Sequence, residues 1–283
     1  MGAFRTVGVV SAVAAASALL QSAAMPTAHA APCPDAEVIF ARGTTELPGV
    51  GPTGDAFVDS LRSHVGAKSV DVYPVKYPAT TDFQTAVDGI NDARARILAT
   101  AASCPDTKMV LGGFSQGAAV MGFVTASVVP DGVSASAVPA PMPLDVADKV
   151  AAVALFGKPS ARFMRAINDP QIVIGPSYVD KTIDLCVDDD LVCDPDGRSF
   201  GVHSRYPEVG MANQGAALAA QKLQASWAAD AVTDAPAQPP APALLSLPVT
   251  DETPPSHGGG PAPRPPGPAP AVPALPGPAP IAP

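Results

Sequence analysis

Residues 108–117 read Lys-Met-Val-Leu-Gly-Gly-Phe-Ser-Gln-Gly. The apolar run before the glycines predicts a short strand, and the small and apolar residues 118–129 predict a helix after it. Residues 113–117 fit the pattern G-x-S-x-G, in which a serine occupies a tight turn between a strand and a helix. The turn exposes the serine hydroxyl and points free N–H groups of the helix N-terminus at it, where they stabilise developing negative charge. The stretch therefore predicts Ser115 as a nucleophile and the N–H of Gln116 as an oxyanion donor.

A serine nucleophile needs a base, and that base is most often a histidine. The chain contains four histidines. His29 lies in a predicted export signal, His257 lies in a proline-rich tail that cannot hold it in place, and His64 ends a predicted helix ahead of the serine turn. In α/β hydrolases the order along the chain is serine, acid, histidine. Elimination and chain order together predict His203 as the base.

The acid of such a triad should lie between Ser115 and His203, at the end of a strand. Residues 188–190 are all aspartate, with Asp184 just ahead of them. Three adjacent carboxylates cannot all be buried, so two are expected to be solvated. Their spacing does not choose among them. A second oxyanion donor is expected from the loop after the first predicted strand, residues 42–45.

Strand-like and helix-like segments alternate along the middle of the chain. Apolar or alternating runs predict strands, and apolar residues at helical spacing predict helices. The alternation favours an α/β fold with a mostly parallel sheet that helices cover on both faces. The predicted strands are residues 37–41, 70–77, 108–111, 150–156 and 182–186, and the predicted helices are residues 57–65, 83–104, 118–129 and 216–227.

The first 30 residues have the pattern of an export signal. A positive charge at Arg5 is followed by an apolar run from Val7 to Leu20 and by the small-x-small triplet at 28–30. This pattern predicts a signal peptide over residues 1–30 that is removed after the triplet. The apolar run is too short and too rich in alanine for a convincing membrane span, so no stable membrane insertion is expected after cleavage.

The other end of the chain is rich in proline. Of the 35 prolines, 18 lie from Pro236 onward, which predicts a disordered Pro/Ala/Gly-rich tail over residues 233–283. Such a tail can serve as a passive spacer or as a segment that reaches through a cell wall or contacts it. Residues 31–232 remain as one α/β domain of ordinary size.

The charge of the chain excludes several partners. Without the predicted signal, 16 Lys and Arg stand against 26 Asp and Glu, a formal charge of −10. Because nucleic acids and anionic membrane surfaces bind clustered Lys and Arg, neither is an expected partner. Nothing in the sequence demands a second subunit, so a monomer is expected. The predicted location is outside the cell, in the medium or associated with the cell wall.

All four cysteines follow the predicted cleavage point. An even number in an exported chain favours disulfides. Of the three possible pairings, the ring between Cys186 and Cys193 needs little loop-closure entropy and leaves Cys33 with Cys104. Metal binding is the competing interpretation, but C-x6-C lacks a second close pair or nearby histidines. No metal and no cofactor are expected.

The chain resembles the cutinase family, and in particular the cutinase-like serine esterases of mycobacteria, over about residues 33–229. The resemblance implies a three-layer α/β/α domain around a five-stranded sheet, with an open active site and no large lid. It also implies the disulfides Cys33–Cys104 and Cys186–Cys193. Four motifs carry the resemblance: Ala41-Arg42-Gly43-Thr44, Gly113-Phe114-Ser115-Gln116-Gly117, Cys186-x3-Asp190-x2-Cys193 and His203-x2-Tyr206.

The resemblance also implies roles for individual residues. The acid of the family is the fourth residue after the first cysteine of the pair, which selects Asp190, and the family's histidine matches His203. A small hydroxyl residue is the family's first oxyanion donor, which Thr44 matches, with Gln116 as the second.

These inferences together predict a secreted serine esterase that hydrolyses short- to medium-chain acyl esters through an acyl-enzyme. Leu191 and Val192 are then expected to form an apolar rim for the acyl chain. The alternatives are phospholipase or thioesterase action on longer chains, action on acetylated polysaccharide, and a non-catalytic cell-wall binding protein that kept the fold. The last alternative predicts a broken triad or oxyanion loop, and the sequence shows neither.

Overall fold

Five parallel strands in the order β2-β1-β3-β4-β5 form the central sheet. The structure, a computed structural model, describes residue 2, residues 32–130, residue 133 and residues 138–233. All but residue 2 of the predicted signal peptide and all but the first residue of the predicted tail lie outside these residues. The strands are β1 Ala36–Ala41, β2 Val70–Pro74, β3 Lys108–Phe114, β4 Val150–Phe156 and β5 Thr182–Leu185.

Helices cover both faces of the sheet. Successive strand residues point to opposite faces, so Phe40 of β1 packs with α1 and α7, whereas Ile39 packs with α2 and α3. This three-layer α/β/α arrangement confirms the predicted fold class. Within the described residues, no helix has the length and hydropathy needed to cross a membrane. The helices are α1 Gly51–Val65, α2 Ala86–Ser103, α3 Gln116–Val124, α4 Leu144–Ala147, α5 Ala161–Ala166, α6 Pro176–Val179 and α7 Met211–Thr233.

The helix after the serine turn is shorter than predicted. The sequence predicted a helix over residues 118–129, but α3 ends at Val124. The carbonyl of Thr125 accepts a hydrogen bond from the N–H of Gly175 at 2.9 Å, which draws the chain out of the helix. Pro130 also disfavours the helical conformation of the residue before it.

Other bounds differ for local reasons. β2 ends at Pro74 instead of residue 77, and the N–H of Val75 makes the last hydrogen bond to β1, to the carbonyl of Phe40 at 2.9 Å. α1 begins at Gly51, six residues before its predicted start, with a proline in its first turn and no apolar periodicity there to reveal it. β3 continues through two glycines to Phe114, and a Cβ at Gly112 would overlap the ring of Phe40. The short helices α4, α5 and α6 were not predicted.

The described residues contain two disulfides, one between distant segments and one within a single loop. Cys33–Cys104 ties the start of the described domain to the end of α2, and Cys186–Cys193 closes a ring directly after β5. Both are the expected pairs.

Candidate active site

Ser115 lies between β3 and α3 with a φ of 55°. Residues other than glycine rarely adopt this left-handed conformation, which costs roughly 1–3 kcal/mol. Two glycines permit it: a Cβ on Gly113 would overlap the carbonyl of Gly117, and a Cβ on Gly117 would overlap the carbonyl of Ala41. The N–H of Ser115 donates to the carbonyl of Phe156 at 2.9 Å, which ties the turn to β4. The hydroxyl is therefore fixed at the carboxyl edge of the sheet.

Ser115, His203 and Asp190 meet in one hydrogen-bonded row. Nε2 of His203 lies 2.7 Å from Oγ of Ser115, and Nδ1 lies 2.7 Å from Oδ2 of Asp190. The Asp190 side chain is fully buried, and that of His203 is 12% exposed. In such a row the imidazole can take the serine proton while the carboxylate fixes the ring.

Three donors surround the carboxylate of Asp190. The N–H of Val192 donates to Oδ1 at 2.9 Å, and the hydroxyl of Tyr206 donates to Oδ2 at 2.8 Å, the oxygen that also faces His203. Burial raises the pKa of Asp190, but the hydrogen bonds from His203, Val192 and Tyr206 together outweigh it and hold the pKa below its ordinary value. The carboxylate therefore stays ionised although no solvent reaches it.

The loop that carries Asp190 is closed by the second disulfide. The backbone of Asp190 forms a bridge with Ser199, and a Cβ on Gly197 would overlap the carbonyl of Asp190. Cys186, Asp190 and Cys193 each place a ligand atom within 4.8 Å of the others. The two sulfurs are bonded to each other, however, so neither is a thiolate that could bind a metal ion. The disulfide between the two cysteines therefore has a structural role, which is to close the loop that carries Asp190.

His203 is held by aromatic packing and by a glycine. The ring of Phe114 stacks on the imidazole at a centroid distance of 5.0 Å. Gly157 follows β4 with a φ of 60°, and a Cβ there would lie 2.9 Å from Cε1 of His203 and 2.9 Å from the hydroxyl of Tyr206. Phe114 therefore packs against the imidazole, and the missing side chain at residue 157 leaves the ring room to face Ser115.

The predicted oxyanion donors line the same cleft as Ser115. Gln116 begins α3, so its N–H has no acceptor within the helix. The turn that carries Thr44 is closed by Glu46, whose carboxylate accepts from the N–H of Gly43 at 2.6 Å. Burial raises the pKa of Glu46. The two predicted donors thus come from opposite sides of the serine turn, one on α3 and one on the loop after β1.

Arg42 connects this loop to the chain after β2. Its buried guanidinium donates to the carbonyl of Glu46 at 2.8 Å and to the carbonyl of Tyr77 at 2.7 Å, and it lies 5.0 Å from the centre of the Tyr77 ring. The hydroxyl of Tyr77 in turn donates to the carbonyl of Arg42. The sequence offered Arg42 only as part of a motif. A charged residue directly after the apolar residues 38–41 at the end of a strand was the signal that it is held by backbone carbonyls.

Comparison with known proteins assigns the family. The family model described as Cutinase matches residues 32–223. The chain belongs to the cutinase family. Its sequence is 57% identical over 167 residues to the probable carboxylesterase Culp5 of Mycobacterium tuberculosis (strain ATCC 25618 / H37Rv), an alignment that covers 59% of this chain and 95% of that protein. It is 46% identical over 223 residues to carboxylesterase Culp1 of Mycobacterium bovis (strain ATCC BAA-935 / AF2122/97), with 77% and 95% covered.

A solved structure of the same family is also similar. The Trichoderma reesei cutinase in complex with a C11Y4 phosphonate inhibitor has a TM-score of 0.50 and 30% identity, over 68% of this chain and 78% of that chain. The fold and the family therefore agree between sequence and structure comparisons.

In this member of the cutinase family, a cleft of about 940 Å³ opens beside Ser115 and His203. Residues of helices α2 and α3 form part of its wall, and Phe163 and Phe200, whose rings pack edge to face at a centroid distance of 6.3 Å, also line it. Of the two residues expected to form an acyl rim, Val192 lines the cleft and Leu191 does not. The wall residues from α2 and α3 are Ala86, Val87, Ile90, Arg94, Gln116, Ala119 and Phe123.

Three residues of the site were missed as functional positions by the sequence analysis. Phe114 and Tyr206 were quoted only as motif letters, and Gly157 was not singled out. The fixed spacing His203-x2-Tyr206 was the one signal that could have found Tyr206. Gly157 and Phe114 act on His203 across the sheet, and no local pattern records such a contact.

Proposed function

We propose that this chain, a carboxylic-ester hydrolase of the cutinase family, cleaves medium-chain acyl esters through an acyl-enzyme on Ser115. The observation that carries the proposal is the row from Oγ of Ser115 through His203 to Asp190, in which each step measures 2.7 Å. A base at this distance can accept the serine proton directly. The relatives named as carboxylesterases support the same class of reaction.

The proposed reaction has two acyl-transfer steps. Oγ of Ser115 attacks the ester carbonyl carbon while its proton passes to Nε2 of His203, and the N–H groups of Thr44 and Gln116 hold the oxyanion. The intermediate collapses as the alcohol leaves with the proton from His203. Water then gives a proton to His203 and attacks the acyl-enzyme, which releases the acid and restores Ser115. Asp190 stabilises the imidazolium in both steps and keeps its own charge.

The length of the cleft supports medium acyl chains. Along α3, the seven helical steps from Gln116 to Phe123 span about 10 Å, at 1.5 Å per residue. An extended alkyl chain advances roughly 1.3 Å per carbon, given a C–C bond of about 1.5 Å, so about eight carbons fit beside this wall. We therefore propose an optimum at about eight to ten carbons, at the longer end of the range expected from the sequence.

The proposal also includes that the protein is exported from the cell and acts as a monomer. Disulfides persist in oxidising compartments, so Cys33–Cys104 and Cys186–Cys193 support the predicted signal peptide. One chain supplies every group named above, which supports a monomer. Association with the cell wall through the tail is proposed from composition alone. N-terminal sequencing of the protein from the medium should find Ala31 first.

Replacement of Ser115 tests the proposed reaction. Ser115→Ala should lower turnover of p-nitrophenyl octanoate by about 10⁴- to 10⁶-fold and abolish labelling by a fluorophosphonate. Ser204→Ala is the matched control, because Ser204 also lines the cleft and has no proposed chemical role. Unchanged turnover in Ser115→Ala would contradict the proposal.

A series of esters from acetate to palmitate tests the substrate: a maximum at acetate would favour acetylated polysaccharide, and one at palmitate would favour long-chain lipids.

A further inference from the structure

Tyr206 reaches the carboxylate of Asp190 from inside the core. Its side chain is fully buried. Its hydroxyl donates to Oδ2 of Asp190 at 2.8 Å, and Nδ1 of His203 lies 2.7 Å from the same oxygen. The other oxygen, Oδ1, accepts from the N–H of Val192 at 2.9 Å. The two oxygens thus have separate donors, which fixes the plane of the carboxylate.

The phenol ring cannot swing away from this position. It packs edge-on against the rings of Phe114, Phe156 and His203, at centroid distances of 5.5, 6.3 and 6.3 Å. The hydroxyl also accepts from the N–H of Val187 at 3.3 Å. The phenol proton has two acceptors within reach, Oδ2 of Asp190 at 2.8 Å and the disulfide sulfur of Cys193 at 3.2 Å, and the ionised carboxylate is the nearer and much the stronger of the two. The donor is therefore oriented before substrate arrives.

We infer that Tyr206 is a positioning residue of the proposed triad: its phenol holds Oδ2 of Asp190 towards His203 and limits the basicity of that oxygen. The inference rests on the proposed esterase function. An oxygen that already accepts from a phenol attracts the imidazolium proton less strongly, so the proton stays on His203 and can pass to the leaving alcohol. A tyrosine that only filled the core would have no such effect on proton transfer.

Tyr206→Phe keeps the ring and removes the donor. We expect kcat to fall about 10- to 100-fold, the usual size of a hydrogen bond to a charged group, with KM within about twofold. The acid limb of the kcat pH profile should also move to higher pH. With one donor fewer, the carboxylate stabilises the imidazolium more strongly, so His203 loses its proton at higher pH.

Tyr73→Phe provides a matched control. The hydroxyl of Tyr73 also donates to a carboxylate, that of Asp92, at 3.0 Å, but neither residue lines the cleft. This variant should leave kcat and the pH profile unchanged. Thermal unfolding of both variants measures the cost to the fold. The position of the acid limb does not depend on how much protein is active, so it can be read even if Tyr206→Phe is less stable.

The outcomes separate this inference from the proposed function. A wild-type protein without esterase activity, or one that keeps its activity after Ser115→Ala, contradicts the proposed function and, with it, the triad that Tyr206 would position. An active wild-type enzyme whose Tyr206→Phe variant keeps both kcat and the acid limb overturns the role of Tyr206. A loss of kcat with an unmoved acid limb overturns it as well, because a purely structural role predicts that result.

Discussion

At the scale of single residues, Gly157 decides whether the proposed base can occupy its place. Gly157 and Gly66 have nearly the same left-handed φ, 60° and 63°, but a Cβ at Gly157 would press on His203 and Tyr206, whereas one at Gly66 meets no atom within 4 Å. Alanine at either position has to adopt a positive φ that side chains disfavour, and only the substitution at residue 157 also disturbs the site.

Gly157→Ala should lower kcat at least about 100-fold, because a displacement of about 1 Å in a catalytic group has effects of this size. Gly66→Ala should also lower the melting temperature but leave kcat unchanged. Esterase kinetics and thermal unfolding of the two variants provide the comparison. Equal kcat values in the two variants would show that the space beside His203 is not needed.

The site residues differed in how far the sequence could predict them. Ser115 was predictable because its neighbours, within two positions on either side, impose the turn. His203 followed from elimination, since the other histidines lie in segments that cannot serve the site. Asp190 could not be separated from its neighbours by spacing and was implied only by the family resemblance. The contacts of Arg42 and Tyr206 span 35 and 16 positions, and such tertiary contacts leave no local pattern.

At the scale of elements, helix α3 carries both a proposed oxyanion donor and the residues proposed to contact the acyl chain. Its first N–H groups face Ser115, and the next turns place Ala119 and then Phe123 along the cleft. Ala119→Leu narrows the cleft one turn from the nucleophile. We expect kcat/KM for an octanoate ester to fall at least about 10-fold relative to an acetate ester, because the longer chain loses apolar contact of about 0.8 kcal/mol per CH2.

Phe123→Ala provides the opposite change on the same helix. Removing this ring should lengthen the cleft and move the optimum to longer acyl chains. The ratio of kcat/KM values between two esters cancels any difference in the amount of folded enzyme. If both variants keep the wild-type ratio, the acyl chain does not lie along α3.

Elements were predictable where their own residues define them. β4, Val150–Phe156, matches its predicted range because a run of apolar residues ends at a glycine at that point. The end of α3 was predicted five residues too late, because its apolar pattern continues while the bond from Gly175 to the carbonyl of Thr125 ends the helix. That bond joins residues 50 positions apart, which hydrophobic periodicity does not record.

At the scale of the whole molecule, the last helix, α7, contacts the chain directly before β1, at the start of the domain. The indole N–H of Trp227 donates to the carbonyl of Asp35 at 3.3 Å, and the Lys68 ammonium lies 5.1 Å from the indole. Hydrogen bonds from Lys68 and Ser69 lower the pKa of Asp35 to about 2. A lowered folded pKa means that this carboxylate contributes stability above about pH 4 and loses it as the pH falls through about 2.

Two shortened chains test which part of the polypeptide the enzyme needs. A chain ending at Ala235 keeps all of α7 and the cluster of Trp227, Asp35 and Lys68, so its melting temperature and kcat on a soluble ester should equal those of the full chain. A chain ending at Ser226 loses the indole and the last turns of α7. The indole is partly buried, so its loss costs roughly 1–2 kcal/mol, less than that of a fully buried aromatic side chain, and the melting temperature should fall by several degrees. A lower melting temperature or kcat in the chain ending at Ala235 would instead mean that the proline-rich segment stabilises the catalytic domain.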